Sequence, residues 1–173
     1  FQKKYPEITF STLVDNLDSL KLFSNLAKSK NQKINLWLDI NNGMNRTGIV
    51  LESASKLYIT LYKDQNINML GIHVYDGHIR PHELQKRIEL CNKSFEPVKD
   101  LIDKIQKLGA EIPEIISGGS PSFYPHSLNK KNRLSPGTTL LWDMGYQKIW
   151  NESPFIHAAV LATRLISKPN TNI

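Results

Sequence analysis

The stretch "LDINNGMNRTGIV", residues 38–50, joins an apolar run to a polar loop that contains two glycines. Asp39 lies near the end of the run, and the loop carries Arg46 and Thr47. A second stretch, "IISGGSPSFYPH" at 115–126, is arranged in the same way, since an apolar run breaks into glycines and hydroxyls. Such a break is typical of a buried strand whose carboxyl end carries a ligand-binding loop. Both stretches therefore indicate a site at the edge of a parallel sheet.

Strand-like and helix-like segments alternate on both sides of these stretches. Runs of β-branched and apolar residues predict strands at 8–14, 34–40, 67–74, 112–116 and 138–143. Apolar residues at helical spacing predict helices at 17–29, about 52–64 and 81–109, with a kink or break at Pro97. The late segment "HAAVLATRLIS" is compatible with either a strand or a helix. Because the strands are nearly continuous apolar runs, the pattern predicts an α/β fold with a parallel sheet covered by helices.

The composition narrows the class of protein. The chain has 173 residues, 40% of them hydrophobic, which suits one globular domain with a sizeable core. The formal charge is +6, but the lysines are scattered and no basic and aromatic cluster predicts nucleic-acid binding. No apolar run is long enough to span a bilayer, so we expect no membrane association. Cys91 is the only cysteine, which fits a reducing compartment and a cytoplasmic location.

Polar side chains follow four of the predicted strands, where they would meet at one edge of the sheet. His73 and Tyr75 are two residues apart on a strand, so they face the same side. The segment from Ser117 to Ser120 combines two glycines with hydroxyls, which suits a phosphate but is weak when taken alone. This convergence, more than any single residue, predicts a site.

Several of these residues have more than one interpretation. Arg46 suits a carboxylate, a phosphate or an anionic ring oxygen, or it forms a surface salt bridge with a carboxylate such as Asp39. Asp143 either orders the phosphate loop or a histidine, or caps a turn. His126 and His157 have no partner at a recognisable spacing, and no combination of His, Cys and carboxylate spacing predicts a metal site in this chain.

Five segments resemble one enzyme family, and they occur in the order in which that family has them. "LDINNGMNRTGI" resembles the "DxxxGMxRTG" segment of D-threonine aldolases and D-serine dehydratases, and it is similar to the "GMNR" loop of alanine racemases. The other four resemble a strand, a phosphate-binding segment, a late barrel segment and the entry to a second domain. In this chain they read "GIHVYDGH", "SGGSPSF", "LSPGTTLLWDMGY" and "LATRLISKP".

The resemblance implies a pyridoxal-phosphate enzyme of fold-type III, with a (β/α)₈ TIM barrel of the alanine racemase type and a β-rich second domain. Gly118, Gly119 and Ser120 would hold the cofactor phosphate, and Arg46 would face the ring oxygen or the substrate carboxylate. His73 or Tyr75 would approach the ring. The implied catalytic set is Arg46, His73 and Tyr75, and the implied cofactor contacts are Arg46, Thr47, Tyr75, Ser117, Gly118, Gly119, Ser120 and Asp143. A D-amino acid substrate and a homodimeric parent are also implied.

Two parts of the family pattern have no match here. No segment corresponds to the one that carries the Schiff-base lysine, and the ligands of the divalent metal expected in the parent, zinc or manganese, fall outside the sequence. We therefore expect part of a barrel at 1–155, roughly strands four to eight, and at 156–173 an exit toward a second domain. Such a fragment would not be a competent aldolase, dehydratase or racemase by itself.

Two other functions compete with this hypothesis. The first is a non-catalytic pyridoxal-phosphate carrier on a related barrel. The second is a generic phosphate- or nucleotide-binding module, which would need a GxGxxG or GxxxxGK[ST] loop that the chain lacks.

Overall fold

The computed structural model describes residues 1–151 and 153–171. Five strands are present in that part of the chain: β1 (Ser11–Val14), β2 (Ile34–Asn41), β3 (Ile67–Tyr75), β4 (Glu114–Ser117) and β5 (Asn132–Leu134). The helices are α1 (Leu17–Lys30), α2 (Leu51–Tyr62), α3 (Leu84–Lys107), α4 (Phe123–Ser127) and α5 (Met144–Ile149). A single 3-10 turn lies at Thr138–Leu140.

The five strands form one sheet in the order β1-β2-β3-β4-β5, and every pair is parallel. Sequential order with helical crossovers is the arrangement of a (β/α) barrel wall. The α/β class and the partial TIM barrel predicted from the sequence are therefore confirmed. All carboxyl ends lie at one edge, which brings the loops after β2, β3 and β4 together.

The two faces of the sheet differ in chemistry. One face, called the helix face here, packs Leu36, Leu38, Ile40, Ile72 and Val74 against α2 and α3 in the main hydrophobic core. The opposite face is called the site face. Cross-strand hydrogen bonds identify its members, since they join Asn68 to Asn35, Trp37 to Ser11, and His73 to Asp39. Apolar burial on the helix face drives folding, which leaves the site face able to carry polar groups.

Local chemistry fixes the ends of α1. The side chain of Asn16 accepts a hydrogen bond from the Ser19 amide at 2.8 Å, which satisfies one amide of the first turn. At the other end Asn31 adopts a left-handed conformation with φ of 47° and closes the helix.

The break predicted at Pro97 is wrong, because α3 runs through this residue. Pro97 is exposed, so its ring lies on the solvent side of the helix. Buried residues on both sides of it, including Phe95 and Val98, hold the helix against the sheet. Tertiary packing therefore outweighs the local cost of the missing amide.

The strand predicted at 138–143 is also wrong. This segment forms the 3-10 turn and leads into α5, while the fifth strand lies earlier, at Asn132–Leu134. Burial does not alternate along it, since Thr139 and Trp142 are buried but Leu140 is 83% exposed. A strand in this sheet requires such alternation or full burial.

The segment at 157–167 has neither helix nor strand. Its apolar side chains are exposed, among them Val160, Leu161 and Ile166. One backbone hydrogen bond, from the amide of Ala158 to the carbonyl of Leu141, ties its start to the domain. The division between a barrel and an exit segment at 155/156 remains a prediction. In the described part of the chain, no helix is both long and apolar enough to cross a membrane.

Candidate active site

The loop after β2 is folded by the side chain of Asn41. Its Oδ1 accepts hydrogen bonds from the amides of Gly43 and Asn45, and its Nδ2 donates to the Asn45 side chain. Gly48 closes the loop with φ of +96°, and a Cβ there would lie 2.5 Å from the Asn41 amide nitrogen. Only glycine fits that position. The resulting loop holds Arg46 at its exposed tip, above the carboxyl edge of the sheet.

Arg46, Tyr75 and Gly119 come together from three different loops and strands. The Arg46 guanidinium carbon lies 4.5 Å from the centroid of the Tyr75 ring, which is a cation–π contact. The ring also lies on the backbone of Gly119, where an added Cβ would be 2.5 Å from Tyr75 Cε2. A Cβ at Gly77 would be 2.3 Å from the Tyr75 hydroxyl. The two glycines therefore form a slot for a flat ring, with a cation over it.

Asp39 and His73 form a pair below this slot. His73 Nδ1 lies 2.7 Å from Asp39 Oδ1, and the two side chains are 14% and 5% exposed. The alternative salt bridge between Arg46 and Asp39 is not formed, because Asp39 faces His73. An ionised carboxylate only accepts hydrogen bonds, so in the neutral imidazole Nδ1 carries the proton and Nε2 keeps a lone pair. That nitrogen is suited to accept or return a proton.

The loop after β4 uses part of its hydrogen-bonding capacity internally. The Gly118 amide donates to the Val74 carbonyl at 3.2 Å, and the Gly119 amide donates to Ser122 Oγ at 3.0 Å. The Ser120 amide has no acceptor within the described residues. Ser120 Oγ lies 2.7 Å from Thr138 Oγ1 and accepts from the Thr138 amide. The free donors here are therefore the Ser120 amide and one of these two hydroxyls, more than the glycine amides.

Three of the predicted cofactor contacts make no contribution to the arrangement of Arg46, Tyr75 and Gly119. Ser117 is in register with Val74, so its side chain shares the helix face, where its buried hydroxyl has no hydrogen-bond partner among the described residues. Asp143 caps α5, because its Oδ1 accepts from the Tyr146 amide at 3.0 Å. Thr47 is exposed beside Arg46 and makes no hydrogen bond within the described chain. The capping interpretation of Asp143 is thus the one that the structure realises.

A buried cluster behind the β4 loop was missed by sequence reasoning. Asp76 accepts hydrogen bonds from the hydroxyl of Ser122 and from His126 Nε2, the latter at 2.6 Å. His126, which has no partner at a recognisable sequence spacing, is paired with a carboxylate fifty residues earlier in the chain. The Cys91 thiol adjoins them, and the ligand atoms of Asp76, Cys91 and His126 lie within 4.8 Å of one another. No sequence spacing reveals this cluster, because three separate elements contribute to it.

Comparison with known sequences fits this geometry. Residues 3–144 match the family described as alanine racemase, N-terminal domain. The chain belongs to the alanine racemase N-terminal domain family. This confirms the expected alanine racemase-like, fold-type III family. No curated protein sequence matches the chain.

Solved structures support the same fold for this alanine racemase-like domain. D-threonine aldolase from Filomicrobium marinum matches with a TM-score of 0.75 and 22% identity, over 84% of this chain and 41% of that one. A variant of D-threo-3-hydroxyaspartate dehydratase matches with a TM-score of 0.68 and 15% identity, over 86% and 40%. Alanine racemase from Bartonella henselae, with covalently bound pyridoxal phosphate, matches at 0.65 and 12%, over 90% and 40%. At these identities the likeness establishes the fold, and the chain spans about two-fifths of each structure.

Proposed function

We propose that this domain binds pyridoxal phosphate at its carboxyl edge and forms part of an enzyme that acts on D-amino acids as an aldolase, a dehydratase or a racemase. The observation that carries the proposal is the arrangement of Arg46, Tyr75 and Gly119. It places a cation, a flat aromatic face and a backbone without a Cβ at one point. This arrangement suits an anionic, planar ligand.

The residues present fit the two ends of this cofactor. At the phosphate end, the Ser120 amide and one hydroxyl of the Ser120 and Thr138 pair supply neutral donors close to a glycine backbone. At the ring end, Arg46 supplies a positive charge for an anionic ring oxygen or for the substrate carboxylate, and Tyr75 holds Arg46 in place through the cation–π contact. The bound cofactor would supply the electron sink that stabilises negative charge at the substrate Cα, and the protein orients the reacting groups.

Arg46 and His73 take different tasks in this proposal. Arg46 is exposed at the loop tip, where a planar guanidinium is suited to hold a substrate carboxylate through two hydrogen bonds. His73 is held by Asp39 and presents Nε2 on the site face, where it would take up or return a proton.

The strands of the described sheet contain no lysine. We therefore propose that this chain holds the cofactor by non-covalent contacts and that the rest of the parent enzyme supplies the Schiff-base lysine. The same observation favours the second candidate, a pyridoxal-phosphate carrier without catalytic activity. A divalent metal in the parent, a homodimeric parent and a cytoplasmic location remain predictions.

An absorbance titration of the chain with pyridoxal phosphate, before and after borohydride reduction, tests the proposal. We expect a saturable spectral change and no reducible adduct. A reducible adduct at one lysine would contradict non-covalent binding. Absence of any saturable change would refute the proposed function for this chain.

A further inference from the structure

We infer that Asp76 and His126 are positioning residues that hold the loop at 118–122 in the shape needed for an anionic phosphate group, an inference that rests on the proposed function. Both residues lie outside the proposed contact set, and among the described residues their side chains hydrogen-bond only to Ser122 and to each other. They act through Ser122 and Gly118, which belong to the loop itself.

The first link runs from Asp76 through Ser122 to Gly119. Asp76 follows β3 directly and is 0% exposed. Its carboxylate accepts a hydrogen bond from the Ser122 hydroxyl. The lone pairs of that hydroxyl oxygen therefore face the loop, where the oxygen accepts a hydrogen bond from the Gly119 amide at 3.0 Å. The Ser122 and Phe123 amides in turn donate to the Gly119 carbonyl. Through Ser122, the Asp76 carboxylate therefore orients the Gly119 amide toward the interior of the loop. The next amide, that of Ser120, is left to donate to a ligand.

The second link runs from His126 to Gly118. The imidazole donates from Nε2 to Asp76 and is packed edge-on against Phe95 of α3, with ring centroids 5.5 Å apart. It lies so close beneath the loop that a Cβ on Gly118 would be 3.1 Å from His126 Cδ2. Gly118 has φ of +80°, a conformation that few other residues adopt. The ring thus forms the floor on which this turn lies.

The network depends on two acceptor oxygens at Asp76. Asp76 receives donors on both oxygens, and a buried charge is tolerated only when such donors compensate for its lost hydration. A carboxamide at this position has almost the same shape, but its NH₂ group would face a hydroxyl or imidazole proton. Asp76→Asn therefore reverses one hydrogen bond of the network with little change in volume.

A metal site at Asp76, Cys91 and His126 is the competing explanation. Two atoms that bind one tetrahedral zinc ion at about 2.0 Å are separated by roughly 3.3 Å. The 2.6 Å between His126 Nε2 and Asp76 Oδ2 is instead a hydrogen-bond distance. Hydrogen bonding accounts for the cluster without an ion.

The test compares pyridoxal phosphate with pyridoxal, which lacks the phosphate, in absorbance titrations of the whole chain. The variants are Asp76→Asn and Ser122→Ala, with Ser122→Thr as the conservative replacement that restores a hydroxyl. Cys91→Ala is the matched control, because it alters the same buried cluster without touching the hydrogen bonds. Amide hydrogen exchange at Gly119, relative to Val74 in β3, reports the order of the loop without any ligand.

We expect Asp76→Asn and Ser122→Ala to weaken pyridoxal phosphate binding by about tenfold, with the pyridoxal affinity changed by less than about twofold. Ser122→Thr should restore phosphate affinity, Gly119 exchange should accelerate in the two weakened variants, and Cys91→Ala should behave like the unaltered chain. Equal phosphate affinity and equal Gly119 exchange in all variants would overturn the inference while leaving the proposed function intact.

Two other outcomes would also overturn the inference. A parallel loss of affinity for both ligands, with faster exchange throughout β3, would assign the network a general structural role. Stoichiometric Zn²⁺ binding that is lost in Cys91→Ala would show that the cluster of Asp76, Cys91 and His126 is a metal site. If the unaltered chain binds neither ligand, the proposed function fails first, and the phosphate role of Asp76 fails with it.

Discussion

The carboxylate of Asp39 and the imidazole of His73 face each other across adjacent strands, with 2.7 Å between Oδ1 and Nδ1. The two residues are direct partners in the register of β2 and β3. This register is fixed by the apolar helix face, since a slip by one residue would turn every side chain to the other side. The packing of Leu38 and Val74 on the helix face therefore sets the geometry of a polar pair on the opposite face of the sheet.

The first prediction concerns the protonation site of His73. In Asp39→Asn the amide is able to accept or donate, so the preference for a proton on Nδ1 should weaken and an Nε2-protonated form should appear. Side-chain nitrogen NMR of the imidazoles measures this directly. The exposed His78 serves as an internal control, because Asp39 is not among its contacts. An unchanged His73 spectrum would mean that Asp39 does not select the tautomer.

The second prediction concerns Arg46. Replacement by alanine should weaken pyridoxal phosphate binding by about tenfold or more, because a charged donor to the ligand is lost. Stability should change little, since an exposed cation–π contact contributes about 0.5–1 kcal/mol. Absorbance titration and thermal unfolding give the two values. Arg164→Ala is the matched control, because this arginine is also exposed and lies in the segment at 157–167. Comparable losses of affinity in both variants would mean that Arg46 acts only through the net charge of the protein.

The third prediction concerns the slot for the Tyr75 ring. Gly119→Ala places a methyl group 2.5 Å from Tyr75 Cε2, so the ring or the loop must move. We expect a loss of about 1–3 kcal/mol in the free energy of unfolding, measured by urea denaturation. Gly137→Ala is the control, because an added Cβ there meets nothing within 4 Å. In a Tyr75→Ala background, Gly119→Ala should lower the free energy of unfolding much less than it does in the unaltered chain. An equal loss in both backgrounds would mean that the strain does not come from the Tyr75 ring.

The fourth prediction uses the Cys91 thiol, whose pKa is raised by burial from its ordinary value of 9.0 to about 12. The native protein should not react with a thiol reagent at neutral pH, whereas the urea-unfolded chain should react fully. The thiol ionises at a lower pH in the unfolded chain than in the folded one. The free energy of unfolding should therefore decrease as the pH rises through about 9 and stay constant at lower pH. The loss should be about 1 kcal/mol between roughly pH 8.5 and 10, and smaller in Cys91→Ala. Rapid native labelling would contradict the burial.

The sequence predicted the parts of the fold that have strong periodicity. The strands at 34–41 and 67–75 and the three long helices have continuous apolar runs or helical spacing, and their predicted bounds differ by at most three residues. The convergence of the loops after β2, β3 and β4 followed from parallel strands alone, so Arg46, Tyr75 and Gly119 were found without any knowledge of their contacts.

The remaining errors have physical causes. Strand β5 is three residues long and includes Asn132 and Arg133, so it forms by pairing with β4 and has no pattern of its own. The run at 138–143 is apolar in composition, but its leucines face solvent. His126 was overlooked because its partner Asp76 is close only in space. Sequence spacing reports contacts within an element, and these contacts join different elements.

The separation of the helix face from the site face has an evolutionary consequence. The main apolar core lies on the helix face, so substitutions at exposed loop positions of the carboxyl edge, such as Arg46, alter the chemistry with little loss of stability. Neutral substitutions accumulate at these loop positions because they cost little stability. Selection for a new reaction can then act on many different sets of loop residues. Solved structures that share this fold are described as an aldolase, a dehydratase and a racemase, as expected when one scaffold carries different site residues.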